Sequence, residues 1–248
     1  MTEPKKPLEG ETAIVTGAGR GIGRAISLAF ARAGATVILA SRTETELSKT
    51  AEEVLAVGGK ATPILTDVTV RKDVEVLVQR AVETTGRLDV IVNNAGVFLW
   101  KALANLEEAE WDRILDTNLK SSYLLTHAAL PALSRSGRGR IINVASIHGT
   151  VGDANVVAHC AAKFGLIGLT KGLARELREV GVTVNAICPG STDNKTRESD
   201  AKHQFPLKEK LFASDIAEAA LFLASPAAST ITGAVLDIWG GTHVQIKG

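Results

Sequence analysis

Short apolar segments alternate with longer segments of helical periodicity from one end of this 248-residue chain to the other. The apolar runs that we predict as buried strands are Thr12–Thr16, Thr36–Ala40, Ala61–Leu65, Val90–Val92, Arg140–Val144, Thr183–Ile187 and Ala234–Ile238. The helical patterns between them lie near residues 22–34, 44–57, 71–85, 107–134, 155–180 and 214–224. Strands that alternate with helices favour a parallel sheet with helices on both faces and right-handed crossovers. The sequence therefore predicts a doubly wound α/β fold.

No internal boundary is visible in this alternation. Neither a Pro/Ser-rich linker nor an internal repeat interrupts it, so we predict a single domain over residues 1–248. The one long irregular stretch, about residues 190–212, is polar and charged. A loop of that length in a compact domain is usually a lid or a binding loop, or lacks fixed structure. We predict a lid here.

Composition limits the classes of partner. The chain has 28 Lys and Arg against 27 Asp and Glu, a net charge of +1, so we expect neither a nucleic-acid nor a membrane partner. No apolar run is long enough to span a bilayer, and the polar N-terminus lacks the apolar core of a signal peptide. Two cysteines, Cys160 and Cys188, are too few for a disulfide framework, which favours the reducing cytoplasm. Cys160 is adjacent to His159 on a predicted helix and points elsewhere, so we expect no metal site.

A glycine-rich loop joins the first predicted strand to the first predicted helix. Its sequence over residues 16–23 is Thr-Gly-Ala-Gly-Arg-Gly-Ile-Gly. Glycines let the backbone turn tightly and approach a pyrophosphate, and the helix N-terminus behind them offers free N–H groups. With a strand before it and a helix after it, the loop predicts a Rossmann-like dinucleotide site rather than an ordinary turn. The residues assigned to this site are Gly17, Gly19, Arg20, Gly21, Ile22 and Gly23.

The end of the second strand indicates which dinucleotide binds. A carboxylate here would accept hydrogen bonds from the ribose of NAD, whereas an arginine suits the 2′-phosphate of NADP. At this position the chain has Ser41, Arg42 and Thr43, none of which carries a carboxylate. The guanidinium groups of Arg42 and Arg20 are able to bind a 2′-phosphate, although both could be solvated surface charges. We therefore favour NADP(H) over NAD(H) as the cofactor.

Over nearly its whole length the chain resembles the short-chain dehydrogenase/reductase family, and within it the bacterial 3-oxoacyl-acyl-carrier-protein reductases. Besides the glycine loop, the motifs that carry the resemblance are Asp67-Val68, Asn93-Asn94-Ala95-Gly96, Asn118, Ser146, Lys163 and Pro189-Gly190. The resemblance implies cofactor contacts for Asp67, Val68, Asn94, Ala95, Gly96, Lys163, Pro189 and Gly190. It also implies a nucleotide-binding half over residues 10–100 and a catalytic and substrate half over residues 101–248. A homotetramer or homodimer is implied as well, packed partly through the helices near 107–134 and 155–180.

The same resemblance assigns catalysis to an asparagine, a serine, a tyrosine and a lysine, acting on a small-molecule carbonyl or alcohol. Asn118, Ser146 and Lys163 match this set. Position 159, thirteen residues after the serine and four before the lysine, holds His159 where the family has its tyrosine. The single tyrosine of the chain, Tyr123, lies in an earlier helix. In the family the tyrosine exchanges a proton with the substrate oxygen while the cofactor moves the hydride.

A histidine changes the chemistry of this position. An unperturbed imidazole has a pKa of about 6.5 against about 10 for a phenol, and Lys163 one helical turn away lowers it further. The imidazole is also shorter, and a displacement of about 1 Å costs roughly 100-fold in rate. Three interpretations stay open: an inactivating change in an intact enzyme, a variant that uses His159 for an altered reaction, and a cofactor-binding protein without catalysis. The intact Asn118 and Ser146 favour an oxidoreductase scaffold with impaired or altered proton transfer.

Three further residues lie near the predicted site. His148 follows Ser146 by two residues at the carboxyl end of a strand, where it would contact substrate, replace the proton donor or face water. Trp100 is expected to line the substrate pocket or a subunit interface. The family resemblance implies a threonine that contacts the nicotinamide carboxamide, and Thr192 and Asn194 are both candidates for its place.

Overall fold

The structure is a computed structural model that describes residues 6–193 and 211–239. Within these residues the main parallel sheet contains β1 Thr12–Thr16, β2 Thr36–Ser41, β3 Lys60–Leu65, β4 Val90–Asn93, β5 Arg140–Val144, β6 Thr183–Pro189 and β7 Val235–Ile238. The α-helices of the same residues are α1 Gly21–Arg32, α2 Glu44–Ala56, α3 Arg71–Thr85, α4 Glu108–Leu115, α5 Ser121–Ser136, α6 Val157–Glu176 and α7 Ala213–Ala224. The predicted doubly wound α/β fold with a single domain is confirmed.

The sheet has the strand order β3-β2-β1-β4-β5-β6-β7, and every neighbouring pair is parallel. The chain builds outward from β1 to β3, then returns to the other side of β1 with β4. The order therefore reverses between β1 and β4. Open α/β sheets bind ligands outside the carboxyl ends of their strands at such a reversal, which places the expected site here.

Burial on both faces explains why the strands appear in the sequence as continuous apolar runs. All five residues of β1 are buried. Ala13 and Val15 pack in the layer that contains α1 and α7, whereas Ile14 packs in the opposite layer with α3 and α5. Successive side chains of a strand point to opposite faces, so a strand covered on both sides needs apolar residues at every position.

The helical segment predicted near residues 107–134 is present, but it is not one regular α-helix. The segment contains α4, a π-helical turn at Asp116–Lys120 and then α5, which continues through Pro131. Within the turn, the Asn118 side-chain amide donates 2.9 Å hydrogen bonds to the carbonyls of Ile114 and Val97. Such side-chain bonds compete with regular helix geometry, and π turns are frequent at functional sites.

The predicted lid at residues 190–212 lies largely outside the described residues, as does Asn194. Its two described ends pair with each other, because Thr192–Asp193 and Leu211–Phe212 form a short parallel ladder. Among the described residues no helix is long and apolar enough to cross a membrane.

Candidate active site

A cleft of about 320 Å³ opens at the carboxyl ends of the first four strands. It brings together most residues predicted for dinucleotide binding: Gly17, Gly19, Arg20, Gly21, Ile22, Ser41, Arg42, Thr43, Asp67, Val68, Asn94, Ala95 and Gly96. It does not include five others that were predicted, which are Gly23, Lys163, Pro189, Gly190 and Thr192. It adds four that sequence analysis missed, which are Glu46, Thr66, Thr69 and Thr117. Thr66 directly follows β3, so the rule of carboxyl strand ends could have found it.

The glycine loop fits a pyrophosphate because it has no room for side chains. Gly17 and Gly21 have positive φ angles of 64° and 54°. A Cβ at Gly17 would lie 2.9 Å from the Asn94 side-chain nitrogen, and one at Gly23 would overlap the Gly17 carbonyl oxygen. Helix α1 begins at Gly21 with no side-chain cap and no acidic residue in its first turn. Its first N–H groups and the positive end of its dipole are therefore available to an anion.

The Thr16 hydroxyl joins the loops after β1 and β4 across the point where the strand order reverses. Its oxygen accepts hydrogen bonds of 3.0 Å from the backbone N–H groups of both Asn94 and Ala95, and it donates to the Val92 carbonyl at 3.1 Å. The Asn94 side chain donates in return to the Thr16 carbonyl at 2.8 Å. These bonds hold the two walls of the cleft in a fixed relation.

Two arginine–carboxylate pairs line the cleft. Arg20 Nε is 4.0 Å from Glu46 Oε1, and Arg42 is 3.8 Å from Asp67 Oδ2. Both arginines are exposed, so these contacts are weak and easily exchanged. Burial by itself would raise the pKa of Asp67, but hydrogen bonds from the Thr69 hydroxyl and N–H, together with Arg42, lower it. The carboxylate of Glu46 beside Arg20 had no signal in the sequence pattern.

Asn118, predicted to be catalytic, is buried beside the loop that follows β4. Its Oδ1 accepts the Val97 N–H at 3.2 Å, and its Nδ2 donates to the Val97 carbonyl. Gly96 packs so closely that a Cβ there would be 2.7 Å from Asn118 Oδ1. The amide of Asn118 thus holds the loop that follows β4.

Lys163 lies on α6 and is buried at the end of β5. Its Nζ donates a 2.8 Å hydrogen bond to the Val144 carbonyl. Burial lowers the pKa of Lys163 to about 8, even though the neighbouring Cys188 opposes the shift. Burial in turn raises the pKa of the Cys188 thiol to about 12, with the carboxylate of Asp237 adding to the effect. The thiol is therefore neutral, and Lys163 retains its proton at neutral pH.

Ser146 follows β5 and begins the short 3-10 turn Ile147–Gly149. Its Oγ accepts the backbone N–H of His148 at 3.2 Å. Because the hydroxyl acts there as an acceptor, its own proton is free to bind a substrate oxygen.

His159 is only 7 % exposed, and among residues 6–193 and 211–239 its Nδ1 has no hydrogen-bond partner. Burial lowers its pKa to about 4, and the charges of Lys163 and His148 add to this, while the backbone of Val97 opposes it. At neutral pH the ring is therefore an uncharged imidazole, which agrees in direction with the expected effect of Lys163.

The ring of His159 belongs to a cluster of four. Its centroid is 5.1 Å from that of Phe98 and 5.7 Å from that of His148, both edge-on. Phe98 stacks on His148 at 6.2 Å and approaches Trp100 at 6.4 Å. Trp100 is 59 % exposed, so its predicted role as a lining residue stays a prediction. Phe98 was missed, although its position two residues after Gly96 could have indicated it.

Sequence analysis also missed Asp153. Its Oδ2 lies 3.6 Å from His148 Nε2. Within the part of the chain that the structure describes, no group of three or more His, Cys, Asp or Glu side chains is arranged to hold a metal ion.

Known proteins with similar sequences identify the family of this chain. The sequence model of a family described as short chain dehydrogenase matches residues 11–204. The chain is 36 % identical over 242 residues to a 3-oxoacyl-acyl-carrier-protein reductase of Thermotoga maritima, covering 94 % of this chain and 98 % of the relative. It is 38 % identical over 244 residues to the reductase of that name from Vibrio cholerae, covering 96 % and 99 %.

Two solved structures superimpose on nearly the whole chain. One, from Sinorhizobium meliloti, is assigned as a short-chain alcohol dehydrogenase; its TM-score is 0.88 at 34 % identity. The other, from Agrobacterium tumefaciens, is assigned as a gluconate dehydrogenase, with a TM-score of 0.88 at 29 % identity. Each comparison covers 96 % of this chain and 98 % of the other.

Proposed function

The chain belongs to the short-chain dehydrogenase family, and from that premise we propose that it is an NADP(H)-dependent oxidoreductase that interconverts a carbonyl group and an alcohol. The observation that carries the proposal is the glycine cradle at the reversal of strand order, with Asn118, Ser146 and Lys163 at the same edge of the sheet. A bound nicotinamide dinucleotide supplies or accepts the hydride. The protein's part is to hold the dinucleotide, to orient the substrate oxygen and to move a proton.

The proposal gives each part of the site a role. The first turn of α1 and the glycine loop hold the pyrophosphate, while Asp67 and Val68 contact the adenine. Lys163 holds the nicotinamide ribose, with Pro189, Gly190 and Thr192 beside the nicotinamide. The Ser146 hydroxyl donates to the substrate oxygen. The small-molecule substrate is a carbonyl or alcohol, and the relatives named as 3-oxoacyl-acyl-carrier-protein reductases favour a 3-oxo compound.

NADP(H) is the proposed cofactor because the cleft has arginines and no carboxylate at the end of β2. Arg42 and Arg20 line it and are exposed, so both are able to turn toward a 2′-phosphate. Glu46 weakens this preference, since Arg20 must leave its carboxylate to bind the phosphate. We expect NADPH to bind more tightly than NADH, by a margin that Glu46 reduces.

Proton transfer is altered in this protein because His159 is neutral. With a pKa of about 4, His159 carries a proton in roughly one molecule per thousand at neutral pH. The same fact favours a second candidate function, an NADP(H)-binding module that transfers no hydride.

One experiment separates the two candidates. NADPH and NADH are titrated against the unmodified protein by fluorescence, and a panel of carbonyl compounds is then tested for consumption of NADPH. We expect tight NADPH binding and slow turnover. Tight binding without turnover of any carbonyl supports the binding module, and absence of dinucleotide binding contradicts both.

We further propose that residues 10–100 form the nucleotide-binding half of the domain and that residues 101–248 form its catalytic and substrate half. We also propose that the chain forms a homotetramer or homodimer through α5 and α6. These helices expose the large side chains Tyr123 and Phe164. Sedimentation of the unmodified protein tests this, and a monomer at micromolar concentration would contradict it.

A further inference from the structure

The ring cluster beside α6 contains a second histidine whose surroundings differ from those of His159. The side chain of His148 is 18 % exposed, whereas His159 is buried and its Nδ1 has no partner within the described part of the chain. His148 is held on three sides: Phe98 stacks on one face, His159 meets the ring edge-on, and Asp153 lies 3.6 Å from Nε2. This is a fixed ring with access to solvent.

One ring nitrogen of His148 lies near a carboxylate. Asp153 Oδ2 lies 3.6 Å from Nε2, which favours the tautomer that carries its hydrogen on that nitrogen. A histidine whose one nitrogen is held by a carboxylate presents the other for proton exchange, as in serine hydrolases.

The backbone of His148 lies beside Ser146, whose hydroxyl is proposed to bind the substrate oxygen. Its N–H donates to Ser146 Oγ at 3.2 Å, so both residues belong to one tight turn at the end of β5. Gly149 follows and packs on α6, where a Cβ would lie 2.9 Å from the Lys163 carbonyl. The turn is thus held against the helix that carries His159 and Lys163.

We propose that His148, oriented by Asp153, exchanges the proton with the substrate oxygen in place of the missing tyrosine, and that His159 is a positioning residue that holds the His148 ring. The proposal rests on the proposed function and deepens it. On reduction, the carbonyl carbon gains the hydride that the bound dinucleotide supplies, and its oxygen gains the proton that leaves the His148 imidazolium. The products are an alcohol, the oxidised dinucleotide and a neutral imidazole, which regains a proton from solvent. The titratable groups around the ring are Asp153 on its own loop and His159 on α6, with Lys163 one turn further along.

The test is a double-mutant cycle between positions 148 and 159, with NADPH and acetoacetyl-N-acetylcysteamine thioester as the carbonyl probe. In the unmodified protein, His148→Gln is expected to lower the reduction rate about 100-fold, the low end of what acid–base catalysis contributes. In a His159→Tyr background the same change is expected to cost less than about 10-fold, because the phenol then supplies the proton. A residue that only supports the fold or binds substrate would show the same loss in both backgrounds.

Two readouts other than rate complete the test. NADPH affinity, measured by fluorescence, is expected to be unchanged in His148→Gln, since His148 lies outside the dinucleotide cleft. Nitrogen-15 spectra of histidine-labelled protein are expected to show His148 as the Nε2–H tautomer, and a mixture of tautomers in Asp153→Ala. The control is Glu52→Gln on the exposed face of α2, which is expected to leave the rate unchanged.

The outcomes separate this proposal from the proposed function. Equal losses in the two backgrounds, or an Nδ1–H tautomer of His148, overturn the role of His148 while the oxidoreductase stands. The role of His148 is also overturned if His159→Tyr reduces the probe and the unmodified protein does not, because His148 then transfers no proton. Failure of both proteins to reduce the probe or any other carbonyl contradicts the proposed function itself.

Discussion

Replacing His159 by tyrosine should raise the rate of carbonyl reduction. Because the pKa of His159 is about 4, protonating its ring at neutral pH costs about 4 kcal/mol, three units at about 1.4 kcal/mol each. A phenol beside Lys163 has its pKa lowered from about 10 but still holds its proton at neutral pH. The substituted residue therefore offers an acid where His159 offers almost none.

The size of the gain follows from the same geometry. General acid–base catalysis contributes about 10² to 10⁴, and His148 supplies part of it in the unmodified protein, so we expect about 100- to 1,000-fold in kcat. The larger ring must displace the edge of Phe98, whose centroid is 5.1 Å away, but Phe98 is half exposed and able to move. The assay follows the near-ultraviolet absorbance of NADPH with acetoacetyl-N-acetylcysteamine thioester at saturation.

His159→Phe is the matched control, since it fills the same space without an acidic proton. We expect no gain from it. If the phenylalanine variant gains as much as the tyrosine variant, the effect comes from packing, and the argument from the pKa of His159 fails.

Three further predictions concern the cleft and the pH dependence of folding. Thr16→Val removes the acceptor of two N–H groups and should lower the free energy of unfolding by about 1–3 kcal/mol in urea titrations. It should also weaken NADPH binding. An unchanged free energy of unfolding and unchanged NADPH affinity would show that the hydroxyl does not hold the loops. Glu46→Gln should tighten NADPH binding several-fold and leave NADH binding unchanged, by fluorescence titration, because Arg20 is released; equal effects on both would contradict this. The pKa of His159 in the folded protein, about 4, lies below its unfolded value of about 6.5. Between these two values the unfolded state binds more protons than the folded state. The free energy of unfolding is therefore highest above pH 6.5 and falls by up to about 3 kcal/mol as the pH is lowered toward 4. Unfolding of His159→Tyr should lack this part of the slope, and parallel curves for the two proteins would refute it.

The sheet and the dinucleotide cleft could be predicted because their signals are local. A strand buried on both faces must be apolar throughout, so β1 and β5 match their predicted limits. The glycine loop could be recognised for a similar reason, since only glycine fits where a Cβ would meet Asn94 or the Gly17 carbonyl. Both constraints act within a few residues of the chain.

The missed features depend on contacts between distant segments. The π turn at Asp116–Lys120 depends on Asn118 reaching the loop at Val97, which helical periodicity does not reveal. Glu46 lies in the cleft because α2 packs beside Gly19, yet in the sequence it is one acidic residue on an amphipathic helix. The contact of His148 with Asp153 likewise arises only when the loop after β5 folds.

Transfer of deuterium from labelled NADPH is the most direct test of an oxidoreductase with an altered proton path. The unmodified protein is incubated with a carbonyl substrate and NADPH that carries deuterium at its transferring position, and the alcohol is analysed by mass spectrometry. We predict an alcohol that carries one deuterium on the former carbonyl carbon, formed slowly by the unmodified protein and faster by His159→Tyr. The account is contradicted if the unmodified protein binds NADPH and yields no labelled alcohol under conditions in which the tyrosine variant does.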